Sequence, residues 1–354
     1  MLNEINYACL CNKNKNNKKN GGIKMKKFIS FLLMVSLFVF VFTVMAIPSF
    51  AADKIVIKIA TGTASAHPEN VGCRHFEKLV EERTDGNVDV QLYDQGQLGS
   101  QKDFVEGLRM GTLEMTMVTI GFFSSYEPIL NVYELPYLYD SPDQAYRAVE
   151  GPLFENIKGH VEKHDVKILS FFEAGTRHIT KKGRQRRGNQ DLKGLKLRTP
   201  PAKINVDTFT TFGANAAPLA FTELYMALQQ GVFDGQENPL SNISASKFYE
   251  VQKYLSLSGH QFLIHMFMYS SKLWDKLPAD VQKVVQQAAK EAALYQRNVV
   301  HEEDNKLLDV LKGKGMKVNE VNVDAFREAA KPLYDKYIEE YGAEAKEIIE
   351  TIRA

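Results

Sequence analysis

From residue 54 onward the chain alternates between two hydrophobic periods. Ile55, Ile57 and Ile59 are interleaved with polar residues, the period of two expected of a strand. Glu69–Arg83 then carries Val71, Phe76, Leu79 and Val80 roughly along one helical face. Asp85-Gly86 turns the chain into a strand over Val88–Tyr93. Ser100 is placed to cap a helix reaching Arg109, which Gly111 ends, and Glu114–Ile120 is a buried strand. This βαβαβ rhythm predicts a parallel sheet with helices on both faces.

A second α/β set starts at the strand Val166–Phe172 and continues with a short strand, Leu195–Arg198, closed by Pro200-Pro201. Lys203–Phe212 reads as a helix, Thr222 as the cap of a helix over Glu223–Gln230, and Val232–Gln236 as the next strand. Tyr254–Ser258 and the apolar run Phe262–Tyr269 are further strands, the latter suited to crossing back to the first set. From Pro278 to about Leu311 the pattern is helical for longer than an ordinary globular helix, and Asp324–Ile352 is mostly helical too. The architecture this predicts is α/β and two-lobed. A ligand cleft lies between the lobes and the long helix braces both, with hinge bending to close the cleft. Lobe I takes residues 53–173 and 264–302, and lobe II takes 174–263 and 303–354.

The N-terminus follows a different pattern. Lys24, Lys26 and Lys27 precede an uncharged stretch, Phe28–Ile47, then Pro48 and the small-residue site Ser49-Phe50-Ala51. This is the layout of a signal peptide starting at Met25, with cleavage after Ala51. An uncleaved anchor is the competing reading, because the apolar run is long enough to span a bilayer. The segment also changes the charge picture. The whole chain has 44 Lys and Arg against 43 Asp and Glu, but residues 1–51 hold seven Lys and one acid. That leaves 37 against 42, a net charge of −5 over 52–354, which argues against a nucleic-acid partner. Beyond the signal only Cys73 remains, so no internal disulfide can form. The chain is expected in the periplasm, as a monomer.

Catalytic signatures do not emerge. There is no G-x-S-x-G, P-loop, G-x-G-x-x-G after a strand or H-E-x-x-H, so no enzyme activity, cofactor or metal is expected. His160 and His164, four apart, could face a metal together, but flanking Lys158 and Lys163 favour a solvated helix end. His301-Glu302-Glu303-Asp304 reads as an exposed face and the basic run Lys181–Arg187 as a solvated loop. Arg198 at the end of one strand and Arg177 just after another carry more meaning. Ligands of open α/β sheets sit beyond the carboxyl ends of strands, and a guanidinium can grip a carboxylate through two parallel hydrogen bonds.

At these residues the sequence resembles a known family. Asp191–Pro200, Phe221–Gly231, Val232–Leu240 with its Asp-Gly-Gln-Glu-Asn-Pro run, and Lys247–Tyr254 are similar to the solute receptors of tripartite ATP-independent periplasmic (TRAP) transporters. Gly96–Gly99, Glu134–Tyr137 and Gly175–His178 extend the match over nearly the whole mature chain. The resemblance implies capture of an organic acid, a C4-dicarboxylate or a sugar acid such as a uronate, and delivery to the small and large membrane subunits. A ligand-presenting role for a sensor is the alternative. By motif, Arg198 is expected to make the bidentate grip, Arg177 a second basic contact, Asn238 an amide contact, and Phe221 to pack on the ligand body. His67 and Asn70 in the first loop, with Thr119 and Phe122, are candidates for the far end. Sialate binders of the family are typically acidic where Thr119 stands, which favours dicarboxylates or sugar acids. Family members often read Asn-Ser-Lys-Arg-Pro-Ile where Lys181–Arg187 lacks the proline.

Overall fold

The computed structural model describes residues 54–183 and 188–354. The expected leader and cleavage site, and the core of the basic run 181–187, lie outside these residues. Strands and helices alternate as β1 (Ile55–Ala60), α1 (Pro68–Arg83), β2 (Val88–Tyr93), α2 (Gln101–Met110) and β3 (Met115–Thr119). Helices α3 (Pro142–Val149) and α4 (Phe154–Val161) lead to β4 (Val166–Lys181). Then come β5 (Lys196–Thr199), α5 (Lys203–Thr211), β6 (Asn215–Pro218), α6 (Leu224–Gln230), β7 (Gly235–Pro239) and α7 (Leu240–Ala245). The chain finishes with β8 (Tyr254–Ser270), α8 (Ser271–Trp274), α9 (Ala279–Gly313), β9 (Lys317–Glu320) and α10 (Val323–Arg353).

The two α/β sets share one sheet. The strand order is β2-β1-β3-β8-β4-β7-β5-β6, with β9 beside the start of β8. The expected parallel pairings hold within each end, β1 with β2 and β3, and β5 with β6 and β7. The middle is antiparallel: β8 against β3 and β4, and β4 against β7. The stretches read from sequence as short strands at 166–172, 254–258 and 262–269 belong to two strands of 16 and 17 residues. Polar interruptions such as Glu173-Ala174-Gly175-Thr176 hid their continuity. That break is a bulge, with a register shift between Glu173 and Gly175. Gly175 takes φ +101°, which residues with a Cβ rarely adopt.

The fold is two-lobed, and β4, β8 and α9 serve both lobes. Val285, Ala288, Ala289 and Ala292 of α9 pack with Phe76 of α1 and Ile57 and Ile59 of β1. Near its other end Leu311 packs with Leu224, Phe248 and Leu255. At about 1.5 Å per residue, its 35 residues run roughly 50 Å, enough to reach both cores. No described helix is long and apolar enough to cross a membrane.

Two local expectations shift. Thr222 does not cap α6: a 3-10 turn, Phe221–Glu223, precedes the helix and Glu223 takes the cap position. The strand read at 232–236 begins later, at Gly235, because Gly231 and the following residues complete the helix end before pairing starts. Gly235 is needed there, since a Cβ would lie 2.5 Å from the carbonyl oxygen of Thr180 on the neighbouring strand.

Candidate functional site

Strand pairing gathers the site. On β7, Gln236 lies opposite Arg198 of β5 and Asn238 opposite His178 of β4, with Arg177 opposite Pro239. Residues two apart on a strand share a face, so Gln236 and Asn238 of the sequence run Asp-Gly-Gln-Glu-Asn-Pro project together between the two arginine-bearing strands. Arg177, Arg198, Phe221, Asn238, Thr119 and Phe122 all line one enclosed cavity. Its free volume is about 50 Å³.

The two arginines differ in partners. Arg177 donates from Nε and Nη2 to the Glu237 carboxylate, and from Nη2 also to the Glu237 carbonyl (2.6 Å) and Asn238 Oδ1 (3.3 Å). Burial alone would raise Glu237, but Arg177 and His260 outweigh it and hold the carboxyl below its usual range. Its positive charge is therefore matched from within. Arg198 donates from Nε (2.9 Å) and Nη2 (2.6 Å) to the carbonyl of Leu219 and touches no acid. It is 1% exposed, and its Nη1 is buried without a partner. Burial lowers this guanidinium to about 9, so it stays a cation at neutral pH. A desolvated charge of this kind is costly until an anion meets it.

The flanking residues shape the same end. Phe221 faces the Arg198 guanidinium at 6.0 Å and packs edge-on against Phe248, with 5.9 Å between ring centroids. The Asn238 amide nitrogen bonds Gln236 Oε1, leaving its second hydrogen for another acceptor. Gln236 in turn donates to Thr180 Oγ1 at 2.7 Å.

At the other end the placement departs from expectation. His67 and Asn70 do not line the cavity. Asn70 donates to the Thr63 and Ala64 carbonyls and accepts from Thr61 Oγ1 at 2.6 Å, so its amide is committed to the β1–α1 loop. His67 caps α1: its Nδ1 accepts from Glu69 N, which leaves Nε2 to donate to Asn242 Oδ1 of α7 at 3.2 Å. The residues that line this end instead include Thr63, Glu69, Gln101, Asn242 and His265. No sequence motif pointed to them, although Glu69 sits within the His-Pro-Glu-Asn segment already singled out. Burial raises Glu69 to about 8 against a hydrogen bond from Thr63 (3.2 Å), and burial lowers His265 to about 3.

The remaining sequence candidates lie elsewhere. His160 and His164 both contact Glu127, at 2.9 and 2.6 Å, and Lys163 joins them at 2.8 Å. Among the described residues no group of His, Cys, Asp and Glu is arranged to hold a metal ion. Larger clefts of about 660 and 600 Å³ run beside α9, but their buried cation, Arg297, is bonded to Glu150 and the Phe171 carbonyl. By contrast, the cavity at Arg198 holds a buried guanidinium with no acidic partner among the described residues.

A closed cavity at the ends of strands from two lobes, lined by a buried cation and neutral donors, defines a solute receptor for an anion. Residues 59–340 match the family described as bacterial extracellular solute-binding protein, family 7. A solute-binding protein of Verminephrobacter eiseniae is 35% identical, over 84% of this chain and 90% of its own. The C4-dicarboxylate-binding periplasmic protein DctP of Rhodobacter capsulatus is 31% identical, over 83% and 89%. The sugar acid binding protein DctPAm of Advenella mimigardefordensis, solved in complex with galactonate, superposes with a TM-score of 0.82 at 31% identity, over 85% and 98%. The chain belongs to this DctP family, the solute-binding proteins of TRAP transporters. It is an extracytoplasmic receptor for an organic acid that works with membrane subunits, and the family favours this reading over a sensor.

Proposed function

We propose that this receptor holds its solute by a carboxylate gripped at Arg198, between β5 and the Phe221 ring. The observation that carries the reading is the buried Nη1 of Arg198, the one guanidinium nitrogen there with no partner. A carboxylate oxygen at Nη1 would supply the missing counter-charge, and Arg177 and the second Asn238 hydrogen can reach the other oxygen from the adjacent strands. Phe221 would cover the ligand body. The carboxylate is the chemistry that the dicarboxylate and galactonate receptors among its relatives have in common. Capture is without chemistry on the solute, by one monomer exported with cleavage after Ala51. Lobe I (53–173 and 264–302) and lobe II (174–263 and 303–354) close on the solute. Closure is favoured because only the closed form brings both lobes onto it.

Thermal melting against C4-dicarboxylates, uronates and aldonates tests this. A true solute raises the melting temperature by mass action, about 2.7 kcal/mol of added stability at a hundredfold excess over Kd. Arg198→Ala should abolish the shift. Full retention of affinity in that variant would refute the grip.

A further inference from the structure

The end of the cavity away from Arg198 has a different character. His265 of β8 lies opposite Phe172 of β4, whereas Arg177 lies five residues further along β4, opposite Gln261. Five residues set the two positions well apart along the strand, on the order of 15 Å before bulges shorten it. Glu69 Oε2 stands 4.0 Å from His265 Nδ1, and that nitrogen is buried with no hydrogen-bond partner. Thr63, Gln101 and Asn242 complete this end with hydroxyl and amide groups.

Charge sets the stoichiometry. The charged side chains on the cavity wall are Glu69, Arg177 and Arg198, and Arg177 is balanced by Glu237. One cation is left unmatched, which suits one carboxylate. A second carboxylate at the far end would be buried with no cation beside it, a costly placement.

We propose that Glu69 is a specificity-determining residue: its carboxyl hydrogen-bonds hydroxyl groups at the far end of the solute, where a second carboxylate would find no cation. The receptor then takes hydroxylated monocarboxylic acids and turns away dicarboxylic acids. The proposal rests on the reading of Arg198 as the grip. Glu69 is suited to the task because burial brings it to about 8, so near neutral pH its carboxyl carries a proton and can donate as well as accept. His265 presents a free ring nitrogen beside it.

The test is calorimetric titration of the full mature chain with matched pairs that differ only at the far terminus: threonate and tartrate, gluconate and glucarate, galactonate and galactarate, with succinate added. At least one aldonate should bind about 100-fold more tightly than its dicarboxylic counterpart, the scale set by about 2.7 kcal/mol of unmatched burial. Glu69→Gln keeps a donor and an acceptor, as the protonated carboxyl does, so the ratio should hold within about threefold. Glu69→Ala should narrow it about tenfold, by weakening the aldonate. A dicarboxylate that binds as tightly as the best aldonate overturns the proposal. So does a ratio unchanged in Glu69→Ala. In either of those outcomes, loss of all binding in Arg198→Ala leaves the carboxylate grip standing. If no acid of either series binds the wild type, the grip itself is at fault.

Discussion

The two ends of the cavity are built in different ways. The arginine end rests on three adjacent strands, β4, β7 and β5, whose register fixes Arg177, Asn238 and Arg198 side by side. The far end is assembled from a loop and helix start of one lobe (Thr63, Glu69), a helix of the other (Asn242) and the middle of β8 (His265). One end presents a charge on a rigid sheet. The other presents hydroxyl, amide, carboxyl and imidazole groups gathered from separate elements, with His67 bonded to Asn242 between them. On the proposed reading, recognition of the common group is separated from recognition of the variable one.

The sharpest way to break this contrast is at Arg198. Arg198→Lys keeps the charge but loses the planar fork that holds Leu219 O and the solute together, so affinity should fall by about 100-fold or more. Titration calorimetry reads this directly, and near-normal affinity would mean that a point charge is enough. Next comes Glu237→Gln, which strips Arg177 of its buried partner. Removing one member of a buried pair costs on the order of 3–5 kcal/mol, so the melting temperature should drop by several degrees. An unchanged melting curve would show that the pair contributes nothing to the frame beneath the site.

A smaller effect is expected at Gly96. A Cβ there would sit 2.5 Å from Thr222 Cγ2. Gly96 also has φ +74°, so Gly96→Ala should hinder closure and weaken solute affinity about tenfold, with about 1 kcal/mol or more of local strain. Thr222→Ser removes the opposing methyl and should restore part of the loss. Affinity rescued by Thr222→Ser would tie the effect to closure, while no rescue would assign it to the strained loop alone.

The same contrast governs how much the sequence alone could tell. Strand alternation and the Asp-Gly-Gln-Glu-Asn-Pro run pointed to the arginine end, and Arg198, Arg177, Asn238 and Phe221 do line the cavity. Which arginine was uncompensated was not legible, because Glu237 meets Arg177 only through the β4–β7 pairing. At the far end His67 and Asn70 looked like contacts by virtue of their loop. Asn70 is taken up by Thr61, Thr63 and Ala64, and His67 by a cap and a bridge, while the buried carboxyl beside them faces inward. Local spacing cannot show which side of a helix start meets the opposite lobe. Nor could it show that β4 and β8 run unbroken through both lobes, since bulges interrupt their alternation.

The mildest expected effect concerns pH, and it again divides along the cavity. Burial lowers His67, His178 and His265 from 6.5 to about 4, 3 and 3. Between pH 6.5 and those values the unfolded chain binds more protons than the folded one, so stability falls as pH drops through that window. Glu69 is shifted the opposite way, from 4.5 to about 8, and Glu134 from 4.5 to about 6, both chiefly by burial. Here the folded state holds the extra proton, so stability is full below 4.5 and is lost as pH rises through the folded values. The melting temperature should therefore peak near neutrality and decline on both sides. Glu69→Gln removes the group responsible for most of the decline between about pH 6 and 8, so its curve should be flatter there, while the histidine limb remains and steepens above pH 4.5, where Glu69 no longer opposes it. Parallel alkaline limbs in wild type and variant would show that Glu69 ionises freely in the folded protein, and that the far end of the cavity is wetter and more open than its packing indicates.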